Sequence, residues 1–309
     1  MPAVITHHLF GEEAVSLLPE GIIQNQEELL AFLLGNQGPD PLFSRALTIP
    51  EAAHNCHVLA RKMHDGKVLE AFMALHQGVS HLPEQDKTLG RAFVLGLLGH
   101  YLLDSRAHAF VYAQQDDLTQ ANPELEDAQH ELHAIIESDI DTWMLWSMRH
   151  LTVLESPAAD YLARTERVDR VAGALVSAMA QSVFGLSINP EEYGGAVSNY
   201  ETIFRLIDPL ESLKIQAIAR VEMLLRSHSM ARALAHSAKG SDECPAANLE
   251  HRRWKNPYTG EPSSKSFADL FFEALEIWEE LSEAYVKADE KTLAPLMGKL
   301  NYDGKPVER

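Results

Sequence analysis

The run GLLGHYLLDSRAHAF, residues 96–110, constrains the fold of this chain more than any other stretch. Its leucines, alanines and aromatics suit a helix at the centre of a bundle, yet it carries His100, Asp104 and His108 at strict four-residue spacing. Positions four apart advance about 40° around a helix, so the three side chains share one face. Burying them without partners would cost several kcal/mol, so the fold must supply groups that satisfy them. The outer two are separated by about 12 Å along the axis at ~1.5 Å per residue, whereas a zinc–nitrogen bond is about 2.0–2.1 Å. One ion is reached poorly by both imidazoles. More than one metal, with Asp104 between them as a bridge, is the comfortable arrangement.

The rest of the chain is helical in pattern. Short helices are predicted at 11–18 and 26–34, the second ended by GNQGPDP, and a longer one from Pro50 that Gly66 interrupts. Helical periodicity recurs over 87–114, 122–151, 157–186, 199–237 and 267–300, with a polar loop at 237–267. No sustained two-residue alternation and no glycine fingerprint between strand and helix occurs, so the fold class is all-α. The 309 residues can bury a substantial core. The expected division is a metal core over 6–190, with 191–309 as helices packed on it and the 237–267 loop near the pocket.

A net charge of −19 excludes a general nucleic-acid backbone binder and disfavours attachment to anionic lipid. Cys56 and Cys244 form neither a disulfide framework nor a cysteine zinc finger. The N-terminus lacks a basic stretch leading into a long apolar run, and no apolar stretch approaches about 18–20 residues. A cytoplasmic chain without stable membrane insertion is expected.

Eleven of the fifteen histidines lie at or before His133. His133 and Glu137, at i and i+4, can chelate a single ion. Asp141, one turn further, is placed to orient a ligand from behind, and His130 is a competing ligand. Asp40 sits in the GPDP loop, with His64 on the helix that follows. His54 and His57 read as ordinary helix residues, Phe110, Trp143 and Trp146 as core, and the glutamates of 273–290 as a solvated face.

In order, His7, Asp40, His64, His100–Asp104–His108 and His133–Glu137 resemble the zinc-dependent phospholipase C family, whose helical fold is shared with the single-strand zinc nucleases of fungi and plants. THHLFG, GNQGPDPLF, KMHDG, GHYLLDSRAH and HAIIESDID carry the resemblance, over about residues 5–145, and are similar to intracellular bacterial members. It implies two or three zinc ions: one on Asp40, His64, His100 and Asp104, and a second on His108, His133 and Glu137. A third would use His7, Asp104 and the N-terminal amine, here that of Pro2 after removal of Met1. The implied activity is hydrolysis of a small phosphodiester or phospholipid, with Asp40 as general base as well as ligand. Three departures stand out: no N-terminal tryptophan, only four residues from Asp104 to His108, and no pattern of a C-terminal β-sandwich.

Two other readings compete. The His64–Asp65 pair fits an HD-type metal phosphohydrolase, which would use Asp65 as a ligand and dispense with Glu137. A helical binding protein with a degenerate or structural metal site is the second. Arg106, or His251, Arg252, Arg253 and Trp254 in the long loop, are candidate contacts for an anionic substrate.

Overall fold

The computed structural model describes residues 4–307. Among them are twelve α-helices: α1 Val4–Val15, α2 Gln26–Gly35, α3 Pro50–Asp65, α4 Val68–His81, α5 Lys87–Ala121, α6 Gln129–Arg149, α7 Glu166–Phe184, α8 Glu191–Ile207, α9 Leu213–Glu222, α10 Met230–Ala233, α11 Phe267–Val286 and α12 Glu290–Met297. The only strands among the described residues, β1 Trp254–Lys255 and β2 Pro262–Ser263, form one antiparallel ribbon inside the long loop. The chain is all-α, as its periodicity predicts.

α5 is the axis. It runs unbroken through the DSRAH segment, and α2, α11, α6, α4 and α1 pack around it. The glycines of the GLLG stretch explain how close these helices come. A Cβ on Gly96 would meet the Phe32 carbonyl oxygen at 2.0 Å, and one on Gly35 would meet that of Phe93 at 2.2 Å. The α2 and α5 backbones therefore touch, and Asn36, at the end of α2, lies against the His100 turn of α5.

Local signals set the ends that matter. Asn25 caps α2 by accepting from the amides of Glu27 and Glu28. Thr165 caps α7, which stops at the left-handed Gly185. Ser266 and Asp269 form a reciprocal capping box that starts α11. α11 then crosses the molecule, and its buried Trp278 donates Nε1–H to the Ala14 carbonyl of α1 at 3.0 Å. The C-terminal helices thus share one core with α1 and α5.

Some boundaries differ from the sequence reading. The first helix begins at Val4, not 11. The span 199–237 is not one helix: α8 ends before Pro209, which cannot donate a helical hydrogen bond, and α9 and α10 follow as separate pieces. The last helix divides at Ala288, where a positive φ turns the chain into α12.

Candidate metal centre

Four elements converge on one face of α5. α1 brings His7, the 3-10 turn Asp40–Ser44 brings Asp40, the last turn of α3 brings His64, and α6 brings His133 and Glu137. With His100, Asp104 and His108 they make three groups whose ligand-type atoms lie within 4.8 Å of one another: His7–His100–Asp104, Asp40–His64–His100 and His108–His133–Glu137. All eight residues are buried except His133, which is partly so.

The separations are those of converging ligands. His100 Nε2 lies 3.0 Å from Asp104 Oδ2 and 4.0 Å from Asp40 Oδ1, while His64 Nε2 is 3.3 Å from the same Asp40 oxygen. His7 Nε2 is 3.1 Å from Asp104 Oδ1, and its ring stacks on that of His100 at 3.9 Å. On the other side, His108 Nε2 and His133 Nε2 approach Glu137 Oε1 at 3.1 and 3.2 Å. Because His100 serves two groups, His7, Asp40, His64, His100 and Asp104 form one continuous cluster. Asp104 uses one oxygen toward His7 and the other toward His100, the disposition of a bridging carboxylate.

The orientation of the rings is the strongest chemical signal. His64 Nδ1 is 2.8 Å from the Ala60 carbonyl, His100 Nδ1 3.0 Å from that of Asn36, and His108 Nδ1 2.9 Å from that of Tyr302. His133 Nδ1 is 3.1 Å from Gln115 Oε1. A carbonyl oxygen only accepts, so Nδ1 carries a proton in each of the first three. The Nε2 atoms are thereby left to face the carboxylates, with a lone pair if the ring is neutral. A lone pair against a carboxylate is repulsive unless a proton or a cation lies between. His64 Nε2, His100 Nε2, Asp40 Oδ1 and Asp104 Oδ2 are all buried with no hydrogen-bond partner, despite their short approaches. Imidazoles pinned through one nitrogen and presenting the other are a hallmark of metal ligation. Gly38 supports the arrangement by closeness: its φ is +62° and an added Cβ would strike His100 Cδ2 at 2.3 Å.

The electrostatics agree. Burial works against ionisation of Asp104, but His100, His108 and His7 hold its carboxyl well below the usual range. Burial likewise opposes charge on His108, yet Asp104 and Glu137 push it up to about 10. At His7, burial and then His100 lower the basicity against Asp104. Three buried carboxylates, each with an imidazole nitrogen within 3.3 Å, require positive charge among them. Imidazolium protons supply it in the bare protein; divalent cations would supply it with better geometry. The donor set, imidazole nitrogen plus carboxylate oxygen, suits zinc. The buried His/Asp/Glu groups can hold a metal ion.

Not every candidate falls where its spacing predicts. Asp141 orients no ligand side chain directly. Its oxygens accept from the Ile5 and Thr6 amides at 2.9 and 2.8 Å, capping the start of α1, and pair with His236 Nε2 at 3.1 Å. Its effect on the centre therefore passes through the backbone that carries His7. His130 is exposed and outside the groups, as is Asp65, so the HD-type arrangement is not formed. Arg106 donates to the Leu296 carbonyl and anchors α12. Trp254 is buried against Phe110, while His251 and Arg252 bond within their own loop. The Pro2 amine lies outside the described residues.

Sequence reasoning missed Tyr302, Gln115 and Asn36. Tyr302 is buried; its carbonyl holds His108, its amide donates to the His64 carbonyl at 3.3 Å, and its ring lies 5.0 Å from that of His64. The long loop reaches the same region through Tyr258, whose ring is 6.0 Å from that of Tyr112, itself 4.9 Å from His133. A cavity of about 20 Å³, lined by His7, Asp104, His108, Glu137 and Phe267 among others, lies between the groups.

Comparison of the chain with protein-family models, with curated proteins and with solved structures finds no match.

Proposed function

We propose that the chain is a zinc-dependent phosphodiester hydrolase of the phospholipase C and zinc-nuclease type, using two or three metal ions. The observation that carries this reading is the convergence of pinned imidazoles and buried carboxylates from α5 and four neighbouring elements on one face of α5. Bound there, zinc would lower the pKa of a coordinated water, neutralise phosphoryl oxygens and stabilise the leaving alkoxide. His7, Asp40, His64, His100 and Asp104 would hold one part of the cluster, and His108, His133 and Glu137 the other. Asp40 would serve as general base toward the attacking water as well as ligand. The Ala60, Asn36 and Tyr302 carbonyls and Gln115 fix the rings and exclude the wrong tautomer.

The substrate is a small phosphodiester or a phospholipid head group. The −19 charge argues against long nucleic acids. The space lined by His7, Asp104, His108, Glu137 and Phe267 is small, about 20 Å³. That tightness also favours a second reading, in which the metals only brace a helical binding protein. Hydrolysis of bis(p-nitrophenyl) phosphate by zinc-loaded protein, with Asp40→Asn and Glu137→Gln as controls, separates the two. Zinc-dependent turnover lost in both variants supports the hydrolase, whereas full zinc loading without turnover on any phosphodiester leaves the bracing role.

A further inference from the structure

α9 has two apolar faces, and only one is covered. Ile215 and Ala219 point into the core. Leu213, Val221 and Leu224 do not: they are 82, 64 and 82% exposed, and Met223 and Leu225 continue the surface at 56 and 88%. Helical hydrogen bonds persist past the end of α9, from Leu224 to Val221 and from Leu225 and Arg226 to Glu222. Positions 213, 217, 221 and 224 therefore line one stripe, at about 100° per residue. Single exposed leucines need no explanation, but five large apolar side chains within thirteen residues form a patch that water does not favour.

The charge along this segment departs from that of the whole chain. Residues 211–232 hold Lys214, Arg220, Arg226 and Arg232 against Glu211 and Glu222, in a protein of net charge −19. Both acids are engaged. Glu222 accepts from Ser229, Met230 and Ala231 and pairs with Arg226, while Glu211 accepts from Ser237 and Ala238. Among the described residues Arg220 and Arg232 have no ion-pair partner.

We propose that this surface docks reversibly on an anionic lipid surface, with Leu213, Val221, Met223, Leu224 and Leu225 entering the head-group boundary and Arg220 and Arg232 meeting lipid phosphates. The shape favours a plane over a second copy. Side chains more than four-fifths exposed stand on a ridge, and two ridges bury little of the roughly 800 Å² per partner that a stable pair needs. Charges elsewhere on the chain are screened beyond about 8–10 Å at ordinary salt, so the local cations govern the approach. No described helix is long and apolar enough to cross a membrane, so the attachment is interfacial. The inference is independent of metal chemistry, although the patch lies beside α6, to which Arg226 is tied through Glu131 at 3.1 Å.

Co-flotation of the full chain with vesicles tests it, using equimolar phosphatidylcholine and phosphatidylglycerol against pure phosphatidylcholine. The expected result is saturable binding to the anionic vesicles, at least tenfold weaker on the neutral ones and at least tenfold weaker for Leu224→Glu/Leu225→Glu. Both substitutions are at exposed positions, so helicity and metal content are expected to match the parent and certify the fold. The proposal is overturned by absent binding, by equal binding of the variant, or by equal binding to neutral vesicles. Two further outcomes also overturn it: a dimer that the double variant dissolves, assigning the stripe to a second copy, and binding abolished by EDTA, assigning it to the metal centre.

Discussion

Replacing Asp141 with alanine is the most informative perturbation of the scaffold. The carboxylate accepts from two amides in the first turn of α1 and from His236, which also pairs with Asp208 at 3.0 Å. His236 and Asp141 are fully buried. Burial opposes charge on His236, but Asp208 and Asp141 push it up to about 10. Asp141→Ala leaves two helix-start amides unpaired, at about 1–3 kcal/mol each, and strips one side from a buried ion pair, at about 3–5 kcal/mol. These terms overlap, because the same carboxylate serves both, and a net loss of about 4 kcal/mol is expected. That is a large share of the roughly 5–15 kcal/mol typical of a folded domain. Urea unfolding in EDTA, followed by circular dichroism, measures it without contribution from bound metal. The pH dependence supplies a second check. A folded pKa raised above the unfolded value of about 6.5 stabilises fully below that value and loses its effect as pH rises through about 10. The parent should therefore lose stability between about pH 7 and 10 more steeply than the variant, since His108 titrates in both, Asp208 still faces His236 in the variant, and the difference isolates the part of the His236 shift that Asp141 supplies. A loss below about 1 kcal/mol with parallel pH profiles would show that Asp141 does not brace α1 and His236.

Glu137→Gln removes the only carboxylate of the His108–His133 group and should lower bound zinc by one ion while leaving helicity intact, as read by elemental analysis and circular dichroism. Gln115→Leu deprives His133 Nδ1 of its acceptor and should weaken that same ion about 10–100-fold in a chelator competition. Gly38→Ala imposes a side chain at φ +62° and on the His100 ring, so it should cost at least about 2 kcal/mol by urea unfolding and reduce zinc uptake. Asp65→Ala should change neither metal content nor stability, since that side chain is exposed; lost zinc would restore the HD-type arrangement.

What was legible in the sequence follows from the range of the interaction. The four-residue spacing in α5 and the i, i+4 pair in α6 are local, and the helix geometry alone brings each set to one face. Histidine pinning is not local. His108 is held by a carbonyl 194 positions away, and no spacing rule reaches Tyr302. Asp141 shows the limit from the other side: its register points to the site, but the Ile5 and Thr6 amides of α1 and His236 claim its oxygens. The break before α9 was readable from Pro209, yet the apolar residues of 213–225 mimic continued core periodicity because their outer stripe is uncovered. The short ribbon in the long loop has only two residues per strand, too few for alternation to register.

The metal centre itself is tested most directly by diffraction from crystals of protein purified without added chelator, recorded on both sides of the zinc absorption edge. Anomalous peaks are expected about 2.0–2.2 Å from the Nε2 atoms of His64 and His100 and from those of His108 and His133, with Asp104 and Glu137 oxygens completing the shells. An absence of peaks at both groups after zinc soaking, with the rings still held by Ala60, Asn36 and Tyr302, would contradict a metal centre there.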